Sequence, residues 1–150
     1  MKAIVPISIL FFGVFLTSCT KEVIVAPQSP LIGSWVLTGA EREDSKGWFT
    51  YNTGLENGVF YFYENGSAEY VNGNLDLRGS WYTSTVSGGY YDQYGNYLTD
   101  LHTSMQVNVS DYYSNSSVNL NFDNITFSNS RFVATNYDGY GVDRYFFARY

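Results

Sequence analysis

The chain of 150 residues has one cysteine and one histidine, and both scarcities exclude classes of site. Cys19 has no second cysteine to pair with, so an intramolecular disulfide is excluded. His102 stands alone, so a multi-histidine metal site is excluded as well. The sequence also contains no glycine-rich motif that would hold a phosphate group. It therefore predicts no metal and no other cofactor.

Positive charge is also scarce. Eight Lys and Arg residues stand against 14 Asp and Glu residues, which gives a formal net charge of −6 at pH 7. An acidic domain is repelled by phosphate backbones, so nucleic acid is not expected as a partner.

The first part of the chain is apolar, but its apolar run is shorter than the roughly 20 residues that a membrane-spanning helix needs. Lys2 precedes an uncharged stretch from Ala3 to Leu16, which ends in small residues. A charged head, an apolar run and a small-residue exit are typical of a secretory signal peptide. Residues 1–18 are therefore predicted to be removed.

The exit sequence Leu16-Thr17-Ser18-Cys19 resembles the lipobox of bacterial lipoproteins. The resemblance implies that the Cys19 thiol carries diacylglycerol and that the new amine is acylated, for example with palmitate. The alternative is an unmodified cysteine after a signal peptide. Two or three acyl chains would anchor the protein stably in a membrane.

Residues 19–30 hold two of the three prolines and are predicted to form a tether, with a single domain over residues 31–150. Thr20 does not resemble the aspartate that retains lipoproteins in the inner membrane. The expected location is therefore the bacterial cell envelope, most simply the outer membrane, with the leaflet left open.

Aromatic residues are what the sequence has in abundance, with 15 Tyr, 11 Phe and 3 Trp. These residues favour strands, and Gly and Asn clusters separate them at short intervals. Asn65-Gly66 between two aromatic runs is a strong hairpin signal. The pattern predicts an all-β fold of about eight strands, arranged as an antiparallel up-and-down barrel without helices.

The tripeptide Gly33-Ser34-Trp35 recurs as Gly79-Ser80-Trp81, and the first copy carries a family resemblance. "LIGSWVLT", the aromatic hairpin around "YENGS" and the ending "YFFARY" are similar to lipocalin-like lipoproteins of Bacteroidetes-type bacteria. The resemblance implies a barrel whose closed end is plugged by Trp35. An arginine of the last strand, Arg149 or alternatively Arg144, is then expected on its ring, while Gly33 lets the backbone turn tightly.

Four aromatic side chains are the candidates for binding a small apolar or amphipathic ligand inside such a barrel: Phe60, Phe62, Tyr70 and Trp81. An eight-stranded barrel is just wide enough to hold one small ligand or to be filled by its own side chains. Both outcomes remain open at this point.

The segment from Ser87 to Tyr97, SGGYYDQYGNY, is the candidate for surface recognition. It carries four tyrosines, Tyr90, Tyr91, Tyr94 and Tyr97, on a glycine-rich backbone. Tyrosines on adaptable loops are typical of binding surfaces. Alternatively, the same rings pack back onto the sheet.

The sequence gives little support for catalysis. Asp100, His102 and Ser104 would share one face of a strand, but that spacing is not a triad in itself. We therefore expect no enzyme. The predicted function is a lipid-anchored envelope protein that holds a small ligand in a barrel; the alternative is a surface module that binds glycan or a partner protein. The oligomeric state is not predicted.

Overall fold

The computed structural model describes residues 29–150, and this part of the chain is entirely β-structure, turns and loops, with no helix. The predicted signal peptide, the lipidation site Cys19 and nearly all of the predicted tether lie outside the described residues. The strands are β1 Gly33–Asp44, β2 Gly47–Tyr51, β3 Val59–Phe62, β4 Ser67–Asn72, β5 Leu75–Ser87, β6 Tyr90–Tyr91, β7 Tyr97–Leu98, β8 Leu101–Asp111, β9 Ser116–Phe122, β10 Asn124–Ser128, β11 Arg131–Tyr137 and β12 Val142–Arg149.

Ten of the strands form one antiparallel sheet in the order β10-β11-β12-β1-β3-β4-β5-β8-β9, with β2 paired to the far end of β1. The remaining two, β6 and β7, form a separate hairpin. The all-β, antiparallel prediction is therefore confirmed. The hairpin expected at Asn65-Gly66 is also present, because Gly66 has a φ of 80° and the Tyr63 amide donates to Ser67 O at 3.0 Å.

The predicted number of about eight strands is wrong, because the described chain has 12. Three of the extra strands, β2, β6 and β7, are short pieces that lie outside the main order of the sheet. A fourth arises where Asp123 divides a strand in two. The Asp123 amide donates to Thr135 O at 2.8 Å, and its carboxylate accepts from Tyr137 N at 2.8 Å. The chain thereby changes its partner from β8 to β11.

The sheet is also open, since no closed ladder is found among the described strands. Its two end strands, β9 and β10, are consecutive in the chain and separated only by Asp123. Strand β10 nevertheless contacts β8, so the ends of the sheet approach each other without a ladder between them.

One hydrophobic core lies on one face of the sheet, and it is built from alternate residues of the strands. Its largest fully buried side chains are aromatic: Trp35, Tyr70, Phe60, Phe132 and Phe147. The Phe132 and Phe147 rings stack at 4.4 Å, and the Trp35 ring meets Phe132 edge-on at 4.7 Å. Aromatic pairs of this kind stabilise the core beyond what their buried area alone provides.

Candidate functional site

The four aromatic residues predicted to bind an interior ligand all lie in this core. Phe60, Phe62 and Tyr70 are at most 2% exposed, and Trp81 is 8% exposed. The Phe60 ring lies 4.7 Å from that of Tyr70, and the Phe62 ring lies 5.5 Å from that of Trp81. The structure therefore brings the four together as mutually packed side chains, which occupy the space that an interior ligand would need.

The residues of the predicted plug also meet. The guanidinium carbon of Arg149 lies 4.3 Å from the Trp35 ring centroid. Its Nη1 and Nη2 donate to Ile32 O and Pro30 O, both at 2.6 Å. Gly33 lies beneath this guanidinium with a φ of 125°. Arg144, the alternative partner of Trp35, lies elsewhere on the sheet.

The tyrosine loop, residues 88–100 between β5 and β8, forms an ordered hairpin. Strands β6 and β7 pair, and a turn organised by Asp92 joins them. Asp92 Oδ1 accepts from Tyr94 N and Asn96 N, both at 2.8 Å, while Oδ2 accepts from Asn96 Nδ2 at 3.1 Å. Burial alone would raise the pKa of Asp92, but these hydrogen bonds outweigh it and hold the pKa below its usual range.

The loop is fastened to the face of β11 and β12 that is turned away from the core. Thr135 Oγ1 donates to Tyr91 O at 2.6 Å, and Arg144 Nη1 donates to Gln93 O at 2.8 Å. The same guanidinium lies 3.7 Å from the Trp48 ring centroid and pairs with Glu41. Thr135 and Arg144 are cross-strand partners, so two adjacent residues of the sheet hold the first arm of the hairpin and the start of its turn.

Tyr90 is the one tyrosine of the loop that is turned fully inward. It is buried, its ring stacks on His102 at 4.2 Å, and its hydroxyl donates to Asp100 Oδ1 at 2.8 Å. That hydrogen bond, helped by burial, raises the pKa of Tyr90. The Ser104 hydroxyl donates to Ser84 O at 3.3 Å. These contacts give His102 a packing role and commit the Ser104 hydroxyl to the backbone.

The other tyrosines of the loop form an exposed aromatic surface with a residue from β11. The Tyr91 ring lies 5.3 Å from Tyr97 and 4.9 Å from Tyr137, so the three rings are continuous. Tyr97 is 61% exposed and Tyr94, at the hairpin turn, is 69% exposed. We call Tyr91, Tyr97 and Tyr137, together with the flanking Tyr94, the tyrosine face.

Reasoning from the sequence missed three residues of this arrangement. Trp48 and Arg144 support the loop, and Tyr137 completes the tyrosine face. Tyr137 lies 40 positions or more from the rings that it joins, and no periodic signal connects them. The pairing of β11 with β12, which places Thr135 opposite Arg144, became visible only in the structure.

A second exposed aromatic pair serves as a contrast. Tyr112 and Tyr113, at the tip between β8 and β9, are 93% and 95% exposed. Their rings contact only each other, at 6.0 Å. This tip lacks the fastening and the continuous stack of the tyrosine face.

Residues 29–150 contain no cluster of three or more His, Cys, Asp or Glu side chains that could hold a metal ion. Within the same residues there is no helix long and apolar enough to cross a membrane.

Comparison with known proteins does not identify a family. No family model matches the chain, and neither a curated protein nor a solved structure is significantly similar to it.

Proposed function

We propose that this chain is a lipid-anchored protein of the bacterial envelope that recognises a glycan through its tyrosine face. The observation that carries the proposal is the continuous stack of Tyr91, Tyr97 and Tyr137 on a hairpin that Thr135 and Arg144 hold in place. A solvent-exposed aromatic platform on a fixed backbone loses little conformational entropy when it binds.

The chemistry of the tyrosine face suits a sugar. Phenol rings offer flat apolar area to the C–H face of a pyranose, and their hydroxyls can exchange hydrogen bonds with its rim. Tyr97 and Tyr94 present both features to solvent. The Asp92 carboxylate is occupied inside the turn, and the chain as a whole is acidic, so a neutral or basic glycan is favoured over an acidic one.

Binding of a small ligand inside the sheet stays a prediction, and the geometry gives it less support. A ligand at that position would have to separate Phe60 from Tyr70 or Phe62 from Trp81, since these rings are packed against each other. Opening such a core forfeits contacts that are individually small and collectively large.

The relationship to lipocalin-like lipoproteins, the barrel that it implies and the anchor at Cys19 are parts of the same proposal. The stack of Arg149 on Trp35 above Gly33 supports the relationship, as does the meandering order of the strands. The anchor rests on the lipobox-like sequence Leu16-Thr17-Ser18-Cys19.

A glycan array probed with the full chain in detergent micelles tests the proposal. Tyr97→Ala combined with Tyr137→Ala should weaken binding of any glycan found by roughly tenfold or more, at about 1 kcal/mol for each ring. The matched control is Tyr112→Ala combined with Tyr113→Ala, which removes two rings that are even more exposed from the other tip. Equal losses of glycan affinity in both double variants, or no glycan bound by the parent chain, would contradict the proposal. A partner protein captured through Tyr97 and Tyr137 would favour the protein-binding alternative.

A further inference from the structure

A partly enclosed cleft of about 270 Å³ lies where β11, β12 and β1 run side by side. Most of its lining is apolar: Val133, Phe146 and Ala148, together with Phe132 and Phe147, whose rings are almost fully buried in the core. It is separate from the four core residues Phe60, Phe62, Tyr70 and Trp81, and from the tyrosine face. A volume of this size equals about nine water molecules at about 30 Å³ each, so it suits a compact organic molecule of similar heavy-atom count.

A β-bulge borders the cleft. Leu37 pairs with Phe147 and Gly39 pairs with Phe146, so Thr38 between them has no partner in the ladder. The extra residue bends β1 away from β12 at this point, as bulges do, and they occur preferentially beside functional sites. The Thr38 hydroxyl donates to Phe146 O at 3.0 Å, which secures the bulged backbone.

Arg131 supplies the polar side of the cleft, and its guanidinium is uncommitted among residues 29–150. The other four arginines of this part of the chain each donate to a carboxylate or to a backbone carbonyl: Arg42, Arg78, Arg144 and Arg149. Arg131 makes no such hydrogen bond and no ion pair there, although acidic side chains greatly outnumber basic ones. A planar guanidinium that no protein group occupies is matched in geometry to a carboxylate, which it can bind through two parallel hydrogen bonds.

We propose that this cleft binds a small aromatic carboxylate. The aromatic ring would lie against Phe146 and Val133, while the carboxylate would accept hydrogen bonds from Arg131. The Phe146 ring favours a flat ring over a flexible chain, because an aromatic pair gains more than its buried area alone provides. This site is independent of the glycan proposal and uses none of its residues.

Fluorine NMR of para-fluorophenylacetate with the full chain in detergent micelles tests the proposal, with empty micelles as the blank. We expect saturable binding to the parent chain. Arg131→Gln should weaken it by roughly tenfold or more, because a charge-assisted pair is lost. Arg78→Gln is the matched control, since it removes an exposed arginine outside the cleft, and it should leave binding unchanged.

A variant that fills the cleft and two analogues of the probe test the proposal independently of Arg131. We expect Val133→Trp to leave the protein folded, because Val133 is only half-buried, and to abolish binding by filling the cleft. The neutral amide and the cationic amine of the same ring should bind at least tenfold more weakly than the acid. Absence of binding to the parent chain, equal binding of the amine, or indifference to both Arg131→Gln and Val133→Trp would overturn the proposal.

Discussion

The Arg149 guanidinium lies over the Trp35 ring at 4.3 Å and at the same time donates to two backbone carbonyls of the segment that leads into β1. Trp35 Nε1 in turn donates to Leu31 O at 2.7 Å. One cation from the last strand therefore holds the entry of the first strand and covers its tryptophan. Such a stack contributes about 0.5–2 kcal/mol, apart from the hydrogen bonds.

Gly33→Ala should destabilise the protein more than an ordinary substitution of a glycine with positive φ. A Cβ at this position would meet Arg149 Nη1 and displace the guanidinium, which would then lose its stack on Trp35 and its two hydrogen bonds, and the φ of 125° is itself strained for alanine. We expect a loss of about 3 kcal/mol in the free energy of unfolding, measured by denaturant titration, with roughly 1 kcal/mol of it due to φ.

The control for Gly33→Ala is Gly139→Ala. Gly139 has a φ of 92°, but an added Cβ there has no neighbour within 4 Å, so only the conformational cost of about 1 kcal/mol should appear. Combining Gly33→Ala with Arg149→Ala should give less than the sum of the single effects, because the clash disappears with the guanidinium. Strict additivity would show that the two residues do not interact as described.

Arg144→Gln should loosen the tyrosine loop while leaving the sheet folded. The change removes the stack on Trp48, the ion pair with Glu41 and the hydrogen bond to Gln93 O. We expect about 2 kcal/mol of lost stability and faster amide hydrogen exchange confined to residues 88–100. Arg78→Gln, which removes a mostly exposed ion pair with Asp76, should change neither quantity measurably. Uniformly faster exchange across the sheet would refute a local role for Arg144.

Much of the local structure could be predicted from the sequence because short-range signals determine it. Asn65-Gly66 specifies its hairpin through the φ of glycine, and the alternation of the strand places Phe60 and Phe62 on one face, which the structure shows to be buried. The division of a strand at Asp123 could not be read in this way, because its cause is a hydrogen bond to Thr135 in another strand. The residue pattern within a strand does not determine which strand it pairs with.

The candidate site shows the same limit. The tyrosine loop was recognisable by composition, but its division into the inward-facing Tyr90 and the exposed Tyr94 and Tyr97 depends on contacts with His102 and β11. Tyr137 joins the face only because β11 passes under the loop. Reasoning from composition therefore located the segment, whereas the shape of the surface required the register of the sheet.

Alkaline titration should show a class of tyrosines that does not ionise while the protein is folded. Burial, followed by the neighbouring Tyr145 hydroxyl, raises the pKa of Tyr51, and burial is also the main cause that raises the pKa of Tyr145 and Tyr70. Because the folded pKa values lie above the unfolded value of about 10, stability is complete below that pH and falls as the pH rises beyond it. Phenolate absorbance should therefore contain a component that rises only on unfolding. A single transition before any unfolding would contradict this.

Acid should weaken the turn of the tyrosine loop through Asp92. The hydrogen bonds from Tyr94 N, Asn96 N and Asn96 Nδ2 hold its folded pKa below the unfolded value of about 3.9. The stabilisation is therefore complete above that value and is lost as the pH falls through the folded pKa. Asp92→Asn should lower the thermal midpoint at pH 7, because an amide cannot accept all three hydrogen bonds. The difference from the parent chain should shrink steadily below about pH 4, where the parent carboxylate becomes protonated as well. Carboxyl carbon NMR of Asp92 gives the folded pKa directly, and a difference in midpoint that persists unchanged in acid would mean that the charge of Asp92 does not hold the turn.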